Sequence, residues 1–185
     1  MWLVVGLGNP GEAYADTRHN VGFMVIDALS ARSSISLKGR TGNLIYGRGF
    51  IEGQNALLIK PLTFMNRSGI AVREAVKKHE GINGILVVHD DIDLDTGVIR
   101  IRKAGSSGGH KGVESIIEAL GTRDFARLKI GVGRSDRLPV EEYVLRNFTR
   151  HEKLLINEAV EKAVDAVAAI LNKGITHAQN VFHKQ

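Results

Sequence analysis

The chain has 185 residues, 43% hydrophobic and 24% charged, which suits one globular domain with a buried core. No apolar run approaches the roughly 18 residues of a bilayer span, and the opening apolar run lacks a basic n-region, so a cytoplasmic location and no membrane partner are expected. Cysteine is absent, which excludes disulfides, thiol nucleophiles and thiolate metal sites, while the net charge of +5 matches the excess of nine bases over four acids between residues 100 and 137 alone. Such a localised basic stretch suits a phosphate-bearing partner, although a solvated surface would also account for it.

In chain order, Val4 to Leu7 reads as a buried strand and is followed by a polar loop from Asn9 to Asn20. Residues 6 to 11, Gly-Leu-Gly-Asn-Pro-Gly, match the dinucleotide pattern G-x-G-x-x-G. The context fails, because a polar loop stands where a dinucleotide site needs an apolar helix, and Asp27, the acid at about the right distance, falls inside a helix. That helix runs from Val21 to Leu29. Leu44 to Ile51 and Ala56 to Ile59 flank Glu52-Gly53-Gln54-Asn55 as a hairpin. A helix over Ser68 to Lys78, strands at Ile85 to Val88 and Val98 to Arg102, a helix over Val113 to Leu120 and a strand at Leu128 to Val132 follow. Apolar residues at 156, 160, 163, 164, 167, 170 and 171 predict a long amphipathic helix from Glu152 to Leu171. Helices between short apolar strands imply an α/β sandwich with a mixed sheet.

Several short motifs fail on spacing. Asp91, Asp93 and Asp95 alternate as in a calcium loop, but the glycine comes one position late at Gly97 and Arg102 stands where a bidentate glutamate is needed. Gly105 to Gly112 approaches a phosphate loop, but His110 replaces the glycine before Lys111 and Gly112 replaces the Ser/Thr. No two histidines have the helical spacing of a zinc site, and no G-x-S-x-G elbow is present.

Polar residues gather instead after the strands. Asn9, Asn66 and Asp90 each come at the end of an apolar run, and they converge if those strands are adjacent and aligned, since ligands bind at the carboxyl ends of an open α/β sheet. His19 lies in the loop after the first strand. A histidine beside a carboxylate and amides can activate water against an acyl group: the imidazole takes the proton, the carboxylate fixes its tautomer, and the amides donate to the oxyanion. Taken singly, each has a plainer reading: His19 as a structural loop histidine, Asp90 as a cap, and Phe64-Met65 as core.

Taken together, Val5-Gly6-Leu7-Gly8-Asn9-Pro10-Gly11 with Tyr14 and Thr17-Arg18-His19-Asn20-Val21-Gly22, then Lys60-Pro61-Leu62-Thr63-Phe64-Met65-Asn66-Arg67-Ser68-Gly69, then His89-Asp90-Asp91-Ile92-Asp93-Leu94 with Gly97, then Gly108-Gly109-His110-Lys111-Gly112 resemble bacterial-type peptidyl-tRNA hydrolase. The resemblance implies a single-domain three-layer α/β/α sandwich over residues 1–185 with a mixed, mostly parallel central sheet. It implies hydrolysis of the ester between a peptide and the terminal ribose of tRNA, without metal or cofactor, by a monomer. By matching position His19 would be the base, Asp90 its orienting carboxylate, and Asn9 and Asn66 the ligands of the peptidyl end, Asn9 distinguishing a blocked from a free amino group. Tyr14, Phe64 and Met65 would line the crevice. Arg100, Arg102, Lys103, His110, Lys111 and Lys129 would meet substrate or tRNA.

Two positions depart from the family pattern. Lys111 stands where asparagine is usual, and an ammonium donates but cannot accept. Lys129 replaces a frequent arginine, exchanging a bidentate fork for a point charge. Two other readings remain at this stage: a non-catalytic RNA-binding relative, and an esterase that ignores tRNA.

Overall fold

The computed structural model describes residues 1–183. The elements are β1 (Trp2–Gly6), α1 (Val21–Ser33), β2 (Gly39–Arg40), β3 (Leu44–Ile51), β4 (Gln54–Pro61), α2 (Ser68–Lys78), β5 (Gly84–Asp91), β6 (Ile99–Arg102), α3 (Lys111–Leu120), β7 (Ala126–Gly131), α4 (Val140–Val144), α5 (Arg150–Lys173) and α6 (Ile175–Phe182). The strands form one seven-stranded sheet in the order β2-β3-β4-β1-β5-β7-β6. The central strands β4, β1, β5 and β7 are mutually parallel, and antiparallel pairs close both margins.

The alternation of side chains along each strand divides the interior into two layers. Val4, Leu58, Leu86, Val88, Leu128 and Ile130 face one way and pack with residues of α1, α5 and α6; Leu3, Val5, Leu57, Ile59 and Val87 face the other and pack with α2 and α3. Strands buried on both faces carry continuous apolar runs, which is why Val4-Val5 and Ile85 to Val88 stand out in the sequence. The expected three-layer sandwich is therefore present. No helix among the described residues is long and apolar enough to cross a membrane.

Two of the glycines that match a dinucleotide pattern, Gly6 and Gly8, have a packing role. A Cβ on Gly6 would lie 2.3 Å from the Gly22 carbonyl oxygen, and one on Gly22 would lie 2.5 Å from Leu7 N, so α1 crosses directly against β1. The hairpin is tighter than its sequence implies: Ile51 pairs with Gln54, and the turn is Glu52-Gly53 alone, with φ of 48° and 75°. A two-residue turn with positive φ at both positions follows the right-handed twist of its strands. Strand β5 also runs further than its apolar residues, because His89, Asp90 and Asp91 pair with Lys129, Ile130 and Gly131 of β7. Asp90 thus sits within a strand. The short elements β2, α4 and α6, of two, five and eight residues, have no counterpart in the sequence reading.

Candidate active site

The parallel strands β4, β1 and β5 are neighbours, so their carboxyl ends lie side by side. Over them lies a crevice of about 500 Å³ whose lining includes Asn9, His19, Phe64, Met65, Asn66, Asp90, His110, Lys111 and Lys129. The convergence expected for Asn9, Asn66, Asp90 and His19 occurs.

His19 is held from both sides. It sits in a one-turn 3-10 helix between Arg18 and Asn20, both buried. Arg18 donates to both oxygens of Glu152 at 3.1 and 2.9 Å and to the Tyr143 carbonyl at 3.1 Å. Asn20 accepts from the Asn9 backbone N–H and donates to the Asn9 carbonyl, each at 2.9 Å. Between these anchors His19 Nδ1 meets the Asp90 carboxylate at 2.9 and 3.0 Å. Arg18 and Asn20 lie in the motif around His19, but the sequence shows no role for either: Arg18 is anchored by Glu152, 134 residues away, and Asn20 by the backbone of Asn9 across the loop.

Asp90 serves a second imidazole. His110 Nε2 lies 2.8 Å from Asp90 Oδ1, while His110 Nδ1 accepts from the backbone N–H groups of Gly112 and Val113 at the start of α3. An Nδ1 that accepts carries no proton, so the His110 proton is on Nε2 and points at the carboxylate. Burial alone would raise the Asp90 pKa, but the electrostatic attraction and hydrogen bonds of the two imidazoles facing it outweigh burial and hold the group ionised well below the usual carboxylate range. Facing that carboxylate, His19 carries its proton on Nδ1, leaving the Nε2 lone pair for a ligand.

His19, Asp90 and His110 also have the ligand types and proximity of a metal site. Their hydrogen bonding fits poorly. A metal on His110 Nε2 would need the proton moved to Nδ1, against the two N–H groups that cap α3.

Asn9 is 6% exposed, and its Oδ1 accepts from Met65 N at 2.8 Å, which leaves its NH₂ as the group available to a ligand. Met65 is buried and Phe64 exposed, both at the crevice. Ile92, Val140, Val144 and Leu145 add an apolar wall that sequence reading missed, because α4 spans only five residues. Acidic residues just after Pro139 are the local signal that could have marked this helix start. Tyr14 is half-buried in a short 3-10 turn and does not line the crevice, and Arg100, Arg102 and Lys103 lie outside it.

The sequence profile of the Peptidyl-tRNA hydrolase family matches residues 3–185. This chain belongs to the peptidyl-tRNA hydrolase family. It is 44% identical over 187 residues to the peptidyl-tRNA hydrolase of Thermodesulfovibrio yellowstonii, covering 100% of both chains. It is 46% identical over 185 residues to that of Bacillus subtilis, covering 99% of this chain and 98% of the relative. The crystal structure of peptidyl-tRNA hydrolase from Acinetobacter baumannii superposes with a TM-score of 0.87 at 36% identity, covering 97% of this chain and 93% of that one.

In this member of the peptidyl-tRNA hydrolase family, the cations of the basic stretch have different surroundings. Arg100 pairs across the sheet with Lys129, and Arg102 with Arg127. Directly opposed residues share a face, so four cations project from the side opposite Ile99, Ile101, Leu128 and Ile130. Lys129 reaches Asp91 at 3.3 Å, and Arg127 is buried against loop carbonyls. Among the described residues, no carboxylate lies within ion-pair distance of Arg100, Arg102, Lys103 or Lys111.

Proposed function

We propose that this crevice hydrolyses the ester joining a peptide to the terminal ribose of tRNA, with His19 as the base. The observation that carries the reading is the 2.9 Å contact from His19 Nδ1 to a carboxylate held ionised, beside two crevice amides. His19 Nε2 takes a proton from water as the water oxygen bonds to the acyl carbon. Asp90 stabilises the imidazolium, and the Asn9 NH₂ and the Asn66 amide donate to the acyl oxygens. Collapse of the tetrahedral intermediate breaks the bond to the ribose oxygen, which receives the proton from His19. The products are a peptide acid and tRNA with a free hydroxyl, so atoms and charge balance without a cofactor.

Arg100, Arg102, Lys103 and Lys111, which have no acidic partner among the described residues, are the groups we assign to tRNA phosphates, and contacts of this kind grip the backbone without reading bases. The NH₂ of Asn9 suits a peptide carbonyl, which a blocked substrate offers and a free aminoacyl group lacks. Every group in this scheme comes from one chain, which supports action as a monomer, and the substrate suits the cytoplasm.

The test is turnover of N-acetyl-aminoacyl-tRNA against unblocked aminoacyl-tRNA by wild type and His19→Ala. Wild type should release the blocked amino acid and spare the free one. His19→Ala should lose roughly 100- to 10,000-fold in kcat with little change in tRNA affinity. Wild-type protein that binds tRNA without turnover would be an RNA-binding relative, and equal turnover of a simple ester would indicate an esterase indifferent to tRNA.

A further inference from the structure

The loop between β6 and α3 carries His110 and Lys111 to the crevice. Gly105, Gly108 and Gly109 have φ of 144°, 59° and 86°, conformations that only glycine adopts readily. A glycine-rich segment left to itself samples many conformations. Yet His110 must arrive with Nε2 at 2.8 Å from Asp90.

The side chain that reaches this loop from the sheet is Arg127. It is 1% exposed and projects from β7 on the face opposite Leu128 and Ile130. Its Nη2 donates to the Gly105 carbonyl and its Nη1 to the Ser106 carbonyl, while its guanidinium carbon lies 4.7 Å from the centre of the Phe125 ring. No carboxylate among the described residues is in ion-pair reach, so carbonyl dipoles of the loop balance this buried charge. Ser107 then accepts from His110 N at 3.1 Å and, through its hydroxyl, from Gly109 N at 3.2 Å. The loop is thus pinned by Arg127 at residues 105–106 and by Asp90 at residue 110, with one tight turn between.

Resting on the reading of the crevice given above, we propose that Arg127 is a positioning residue: its planar fork fixes two successive carbonyls and so delivers His110 to Asp90. Shape is needed as well as charge. A lysine ammonium keeps the charge but cannot hold both carbonyls with the same rigid geometry.

The experiment compares wild type, Arg127→Lys and Arg127→Gln by turnover of N-acetyl-aminoacyl-tRNA and by amide hydrogen exchange. Both variants should lose roughly 10- to 100-fold in kcat, the size expected from misplacing a positioned group, with KM nearly unchanged. Amides 105–113 should exchange faster while those of β1 and β5 stay protected. Unchanged loop exchange overturns the proposal, as does wild-type kcat in Arg127→Lys or a gain in exchange spread through the sheet. If wild type itself shows no turnover, the assigned function fails, and the loop exchange still decides whether Arg127 orders the loop.

Discussion

Asp90 accepts from two imidazoles whose protons sit on different nitrogens, Nδ1 of His19 and Nε2 of His110, and this difference divides their roles. His110 is committed at both nitrogens, whereas His19 keeps one lone pair for chemistry. A third histidine lies behind them. His89 is 2% exposed, donates from Nδ1 to the Asp90 carbonyl at 2.7 Å and packs edge-on against His110 at 4.8 Å. Burial first, and the neighbouring His110 second, push its pKa from 6.5 to about 3. Because the folded value is the lower one, the unfolded chain takes up this proton first as the pH falls. The stabilisation from keeping His89 neutral is therefore complete above pH 6.5 and is lost progressively toward pH 3, at no more than about 1.4 kcal/mol per pH unit. Asp90 acts in a lower window, since its depressed pKa confers stability that is lost only below the usual carboxylate range. Urea midpoints of wild type between pH 7 and pH 4.5 should fall with acid, and His89→Asn should flatten that slope; identical slopes would show that His89 is not the group responsible.

At the scale of elements, the turn that carries His19 depends on the start of α5. Thr149 and Glu152 form a reciprocal capping box, and the same Glu152 carboxylate grips Arg18 at 2.9 Å. One carboxylate thus caps a helix and anchors the catalytic turn. Thr149→Ala should cost about 1 kcal/mol, lowering Tm by roughly 2–4 °C, and leave kcat near wild type because the Arg18–Glu152 pair survives. Glu152→Ala strands a buried guanidinium, so a larger loss of about 3–5 kcal/mol is expected, with a fall in kcat as the turn shifts. Thermal melts alongside turnover separate the two, and a Glu152→Ala protein with full kcat would rule out the anchoring role. Long elements with a clear period were legible in the sequence: α2 spans the predicted Ser68–Lys78, and α5 extends its prediction by only two residues at each end. Where pairing with a distant strand decides the boundary, as for His89 to Asp91, local polarity misleads.

At the scale of the molecule, the open margin of the sheet carries the basic face. Gln179 donates to the Ile101 carbonyl at 3.1 Å, and His183 Nε2 accepts from Ile101 N at 2.9 Å, so the C-terminal segment satisfies backbone groups of the edge strand β6. Arg100 and Arg102 lie on either side of that residue, with no acidic partner among the described residues. Replacing both with alanine should weaken tRNA binding, raise KM with kcat nearly kept, and flatten the slope of log K against log salt by about 1.4–1.8 if each neutralises one phosphate. Binding titrations at several salt concentrations check this; an unchanged slope would assign the phosphate contacts elsewhere.

The sequence by itself determined the elements with a strong apolar period, the α/β class and the convergence of Asn9, His19, Asn66 and Asp90, because alternation and helical spacing are local and four long motifs identify a family. Only the tertiary structure decided which nitrogen of His19 and of His110 faces Asp90, which cations lack an acidic partner among the described residues, and that Arg18, Asn20 and Arg127 support the site. His19 and Asp90 are 71 residues apart, and Arg18 and Glu152 are 134 apart. Protonation, charge pairing and support depend on such contacts, and their partners carry no mark in the residues near them in the chain.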